Sequence, residues 1–171
     1  PMPFYSTKTY GPERGLSCAY RQWDAGTDCQ LLHGYALGFR FVFAAEQLDR
    51  RGWVVDFGDG GFGKIRRWLH KMFDHTLLVA VDDPARDVFE SLAAAGLADL
   101  RTVPSTSCER LAQHVHDAAQ EILHDATQGR CWLSSVECFE HSANSALFEA
   151  PDAVQRQTVA DVLQAVLREM K

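Results

Sequence analysis

Four short stretches of the chain carry side chains able to do chemistry. Cys29 lies in a polar loop, Asp24 to Gln30, where a thiol is accessible rather than packed away. The thiolate is the reactive form, so such a cysteine becomes a base or nucleophile once a partner lowers its pKa. Asp74-His75 joins a carboxylate to an imidazole. The carboxylate can fix one tautomer, and the ring can then move protons near neutral pH. Glu140-His141 closes an apolar segment, and a carboxylate there can accept two parallel N–H bonds from a guanidine-like ring edge. His33-Gly34-Tyr35 offers a single imidazole, with no HxxxH or similar ligand pair anywhere in the chain. His114 and His116 are two apart and do not share a helix face. They are read, with His70 and His124, as surface residues. Taken singly, each feature also fits an ordinary solvated side chain.

These residues need elements to position them. From His33 to Phe43 the apolar residues alternate, with Tyr35, Leu37, Phe39, Phe41 and Phe43 on one face, so a long half-buried strand is predicted. Trp53 to Phe57 reads as a second strand, making an antiparallel hairpin with a longish loop. Ile65, Trp68, Leu69 and Met72 form one helical stripe ending just before Asp74. Asp83-Pro84 opens a short helix, with Asp83 as N-cap and Gly96 after its end. Thr106 and Glu109 have capping-box spacing, and Leu111, Val115, Ala118 and Ile122 follow on one face. Arg130 to Glu140 reads as a strand with Val136, Cys138 and Glu140 on one side. Asp152 to Met170 reads as a last amphipathic helix. The order gives an α+β fold with helices on one face of an antiparallel sheet. Exposed strand edges in so small a sheet need covering, and oligomerisation is one way to do it.

Bulk properties narrow the function. The 171 residues suit a single domain with a sizeable core. A formal net charge of −6 gives no basic footprint for nucleic acid or an anionic membrane, and a small anionic substrate is still compatible with it. The five cysteines are odd in number and contain no CxxC pair. With no apolar signal-like core in Pro1 to Tyr10, they read as free thiols of a cytoplasmic protein. No apolar run is long enough to span a bilayer.

Taken in order, six segments resemble the 6-pyruvoyl/6-carboxy-tetrahydropterin synthase family. Leu16-Ser17-Cys18-Ala19-Tyr20-Arg21 is similar to its F-S-A-A-H-R, and Cys29 through Tyr35 to C-G-x-x-H-G-H. Gly52 through Asp59 is similar to G-x-V-x-D-F-x-x, and Phe73-Asp74-His75 to L-D-H. Thr106 through Ala112 resembles S/P-T-x-E-N-x-A, and Val136 through Glu140 resembles V-x-V-x-E-T. The resemblance implies the tunnelling fold: a four-stranded antiparallel sheet with two helices on one face, sheets joined between subunits around a tunnel as homo-trimers or hexamers. Here an inserted helix at about 78–104 and an extra C-terminal helix at about 152–170 would be added to one domain of residues 1–171, both outside the sheet.

The same resemblance implies a lyase acting on 7,8-dihydroneopterin triphosphate or a related pterin, with the 6-carboxy product serving queuosine and related deazapurines. It makes Cys29 the catalytic thiol, Asp74 and His75 its proton-relay partners, Glu140 the grip on the pterin, and Ser107 a pocket hydroxyl. The family's zinc is held by three histidines, of which only His33 has a counterpart; the other two positions are Tyr20 and Tyr35. A phenol with a pKa of about 10 is a poor zinc ligand. Tyr20 and Tyr35 are therefore expected to fill the metal's space and line the substrate site, with no tightly held zinc; zinc is the one cofactor the resemblance implies, and no other is predicted. A non-catalytic pterin- or purine-binding module that has lost the zinc site is the alternative.

Overall fold

The computed structural model describes residues 2–150. Its spine is β3, His33–Ala45, the long strand that the alternation predicts. One side of β3 is shared by two strands. β1, Phe4–Tyr10, pairs antiparallel with its second half, from Phe4↔Ala45 to Tyr10↔Phe39. β2, Leu16–Tyr20, pairs antiparallel with its first half, from Leu16↔Leu37 to Tyr20↔His33. The turn between β1 and β2 crosses directly over Gly38, where an added Cβ would lie 2.7 Å from Pro12 Cδ. On the other side β6, Cys131–His141, pairs antiparallel with β3 and continues into β7, Asn144–Glu149. The result is four antiparallel ribbons, counting β1 and β2 as one broken ribbon.

Helices α1, Phe62–Phe73, and α3, Cys108–Thr127, cover one face of this sheet. Their buried stripes (Ile65, Leu69 and Phe73; Leu111, Val115 and Leu123) share one core with Leu37, Phe39, Phe41 and Phe43 of β3. Burying a side chain of this kind contributes about 1.5–3 kcal/mol, so the alternation in β3 fixes which face the helices occupy. His116 also points inward: it is buried, with Nε2 within 3.2 Å of the Leu133 carbonyl. The surface reading of that histidine is therefore corrected; a satisfied ring nitrogen makes its burial tolerable.

The segment from Leu77 to Pro104 does not lie outside the sheet. β4, Thr76–Ala80, pairs parallel with β2, and β5, Leu100–Val103, pairs parallel with β4. The strand order is β5-β4-β2-β3-β6-β7, with β1 beside β3. All five residues of β4 are buried, the pattern of a parallel strand covered on both faces. Leu78 enters the main core, while Leu77 and Val79 pack with Phe89 of α2, Arg86–Ala94, in a second small cluster. So α2 covers the face opposite α1 and α3.

Three local expectations are also corrected. Trp53–Phe57 is irregular rather than a strand. Both sides of the neighbouring part of β3 are already taken by β1 and β6. Of its carbonyls, Trp53 O accepts from Asp49 N at 2.9 Å and Val54 O accepts from the Arg130 guanidinium at 2.9 Å. The α2 helix begins at Arg86, after Asp83, because the Asp83 carboxylate is occupied by Arg21 and the Ala85 N–H. Ser107, not Thr106, is the N-cap of α3: its Oγ accepts from Arg110 N, while Thr106 Oγ1 donates to Arg21 O at 2.6 Å. The C-terminal helix expected at about 152–170 falls outside the described residues.

Candidate functional site

The ends of β2, β3 and β6 bring four predicted residues together. Tyr20 closes β2 and pairs directly with His33 at the start of β3. Their ring centroids are 5.3 Å apart, and Tyr35 stands 5.5 Å from His33 and 6.1 Å from Tyr20. The strands approach closely enough here that a Cβ at Gly34 would meet Cys18 O at 2.5 Å. From 120 positions away in sequence, Glu140 at the end of β6 accepts the Tyr20 hydroxyl through Oε1 at 2.9 Å.

Tyr20 is fully buried. Burial first, and then the neighbouring Glu140 charge, push its phenol far above the usual range. It is thus held neutral, as a hydrogen-bond donor. Cys18, two residues earlier on the same face, is pushed up to about 12 by burial and is no thiolate at neutral pH. Zinc does not fit this donor set. One imidazole stands beside two phenols, and one phenol is already committed to a carboxylate. Among the described residues no group of three or more His, Cys, Asp or Glu is arranged to hold a metal ion.

Glu140 forms part of the wall of a cavity of about 460 Å³ lined also by Gln22, Cys108, Glu109, Asn144 and Ser145. Ser107 is not on that wall; it caps α3 with its neighbours Cys108 and Glu109 facing the cavity. A larger apolar depression of about 580 Å³, lined by Phe4, Tyr5, Trp53, Val54 and Phe57, holds none of the predicted site residues.

Asp74 and His75 sit where α1 gives way to β4. Asp74 Oδ1 lies 2.6 Å from His75 Nδ1, and Asp74 Oδ2 lies 3.3 Å from His70 Nδ1. His70 Nε2 in turn meets the Tyr10 hydroxyl at 2.6 Å. The hydrogen bond from His75, reinforced by His70, holds the Asp74 carboxyl below its ordinary range. His75 has φ of +58°, the left-handed region, and its N–H donates to Ser17 O of β2 at 2.7 Å. With Nδ1 engaged, Nε2 is the nitrogen free to exchange protons, on a ring that is 89% exposed. His70 and Tyr10 extend this chain of hydrogen bonds and were not anticipated, although the i, i+4 spacing of His70 and Asp74 at a helix end was a usable signal. Cys108 on the cavity wall was also missed; it lies one residue beyond Ser107.

Cys29 is exposed in a 3-10 turn, Asp28–Gln30, capped by Thr27 Oγ1. Gln22 N donates to Cys29 O at 2.9 Å, folding the turn back towards the end of β2. Among the described residues, no hydrogen bond joins the Cys29 thiol to His75 or Glu140.

The mixed sheet, curled as a half-barrel with helices packed on it, is that of a tunnelling-fold α+β protein. A family model described as 6-pyruvoyl tetrahydropterin synthase matches residues 12–151, and the chain belongs to that family. A 6-carboxy-5,6,7,8-tetrahydropterin synthase of Rickettsia felis is 33% identical over 79 residues, covering 40% of this chain and 54% of the relative. One of Rickettsia typhi is 36% identical over 76 residues with the same coverage. The chain thus spans about half the length of the curated relatives it matches. Among solved structures, an uncharacterized protein of Wolinella succinogenes superposes with a TM-score of 0.72 at 16% identity, covering 88% of this chain and all of the other. The 6-pyruvoyl tetrahydropterin synthase of Plasmodium vivax gives 0.63 at 15% identity, covering 89% of this chain and all of the other. At such identities the likeness is one of fold. No helix among the described residues is long and apolar enough to cross a membrane.

Proposed function

We propose that the chain is a synthase-like lyase that binds 7,8-dihydroneopterin triphosphate or a related pterin through Glu140. The observation carrying this reading is Glu140 itself, a strand-end carboxylate on a cavity wall, oriented by the Tyr20 hydroxyl. Its two oxygens keep enough lone pairs to accept the two parallel N–H donors of a pterin's amino-pyrimidine edge. A cavity of about 460 Å³ suits a bicyclic ring of that size.

In this reading the Cys29 thiolate removes a proton from a side-chain carbon of the pterin. His75 Nε2, its ring oriented by Asp74, carries protons to and from the side-chain hydroxyl. Loss of triphosphate and cleavage of the side chain are the two outcomes this chemistry allows, giving a carbon–oxygen or a carbon–carbon lyase. The phenol of Tyr35 can donate to a developing oxyanion, and no step is assigned to a metal. No hydrogen bond joins Cys29 to His75 among the described residues, and in this reading the site is completed between subunits of a homo-trimer or hexamer. Incubation with dihydroneopterin triphosphate, with products followed by mass spectrometry, tests the proposal. Turnover lost in Cys29→Ala with pterin binding retained is the expected result.

One observation favours a second reading. The Tyr20 hydroxyl, standing where the family has a zinc histidine, is committed to Glu140 rather than to a metal or substrate oxygen. That arrangement serves a non-catalytic pterin-binding module equally well. Tight pterin binding without turnover in the unsubstituted protein would select it.

A further inference from the structure

We propose that Cys108 and Cys138 form a redox-modification site on the wall of the Glu140 cavity, where the two thiols close to a disulfide at the expense of a low-molecular-weight disulfide such as oxidised glutathione. The inference stands whatever the cavity binds. All five cysteines are free. Cys138 is fully buried on the core face of β6, two residues before Glu140, and the first residue of α3 is Cys108. The Cys108 thiol reaches across to donate to the backbone carbonyl of Cys138 at 3.2 Å, which sets its sulfur beside that residue.

The two thiols have complementary roles. Cys108 faces the cavity, so a soluble disulfide can reach it, while Cys138 is shielded from direct attack. The neighbouring Cys138 side chain lowers the Cys108 pKa, and the Cys108 side chain, with burial, raises that of Cys138. Because it is the accessible one, Cys108 is the attacking thiol and the shielded Cys138 the resolving one. In the first step the Cys108 sulfur attacks one sulfur of the oxidant, the oxidant's S–S bond breaks, and one thiolate leaves. In the second, the Cys138 sulfur attacks Cys108, the mixed disulfide breaks, and the second thiolate leaves. The two protein S–H protons end on the two departing thiols, and the two electrons lost by the protein reduce the oxidant. The product ties the start of α3 covalently to β6 and withdraws the Cys108 sulfur from the cavity wall.

The test uses the full chain carrying Cys29→Ser, which removes the exposed competing thiol and leaves four cysteines. The protein is incubated with oxidised glutathione, quenched in acid, denatured, alkylated and mapped by peptide mass spectrometry. The expected result is a fall from four alkylated cysteines to two, with a Cys108–Cys138 linked peptide that dithiothreitol restores. Adding Cys108→Ser, whose hydroxyl can keep the bond to Cys138 O, should abolish the linked peptide and leave the other three cysteines alkylatable. Cys108 and Cys138 both remaining alkylatable, Cys108 stopping at a glutathione adduct, or Cys138 linking to Cys18 would each overturn the proposal.

Discussion

At the scale of single residues, the proposed site rests on Glu140 and on the two phenols beside His33. Glu140→Gln keeps the shape but turns one acceptor oxygen into an NH₂ facing a ring donor. Pterin affinity should fall by about 1–3 kcal/mol with the fold intact, measured by calorimetry; unchanged affinity would remove Glu140 from its role. Tyr20→His combined with Tyr35→His would set two imidazoles beside His33. That is the minimum protein donor set for zinc. Protein purified without added metal should then carry zinc approaching one per chain, whereas stoichiometric zinc already bound through His33 in the unsubstituted protein would refute the ligand count. The candidate residues themselves were legible as short motifs. The contact between Tyr20 and Glu140 was not, because the two are 120 residues apart and only the registers of β2, β3 and β6 bring them together. Cys108 was invisible for a different reason: a thiol at a helix start signals nothing until its neighbour across the sheet is known.

At the scale of elements, long periodic segments were legible and short uniform ones were not. β3 and α1 could be read because each shows one face to the core over several repeats. β4 escaped because Thr76-Leu77-Leu78-Val79-Ala80 is apolar on both sides and has no period to detect. The Trp53 segment misled in the opposite direction, since its apolar run satisfies a guanidinium and a pocket rather than a ladder. The β4–α2 segment is fastened to the rest of the sheet by Arg21, whose fork meets Asp83 at 2.7 and 2.9 Å. The Asp83 carboxylate is only 1% exposed, so Arg21→Met leaves a buried charge unpaired and should cost about 3 kcal/mol in denaturant unfolding. The Arg21 bond holds the Asp83 pKa below its ordinary value. The stability this supplies is fully present above the ordinary carboxylate pKa of about 4 and is lost as pH falls through the depressed folded value. Thermal melts of Asp83→Asn should therefore lose part of the acid-side slope seen in the unsubstituted protein; an identical slope would show that the pair carries no linkage.

At the scale of the whole molecule, the sheet ends unequally. β5 is four residues long and carries Arg101 in a fork on Asp99, features that discourage further pairing. β1 and β7 are longer, and among the described residues each has one side without a strand partner. Exposed Phe4, Tyr5 and Trp53 surround the first, and exposed Leu147 lies on the second. Those are the edges at which copies of the chain are proposed to meet. Light scattering should return three or six times the 19.1 kDa chain mass, and a monomer at micromolar concentration would remove the basis for a site shared between subunits.

The left-handed backbone at His75 sets folding and chemistry against each other. A side chain with a Cβ pays about 1–2 kcal/mol to sit in that region, and glycine does not. At most positions an alanine would fold better than a glycine; here the order should reverse. His75→Gly should melt higher than His75→Ala, by an amount equivalent to about 1 kcal/mol, with both equally inactive because both lack the ring. The reverse ranking would mean that the turn after α1 relaxes freely. If the ranking holds, selection for stability alone would drive this position towards glycine. If the proposed site is right, a histidine there marks where the chain departs from its most foldable sequence to hold an imidazole at a fixed angle to Asp74.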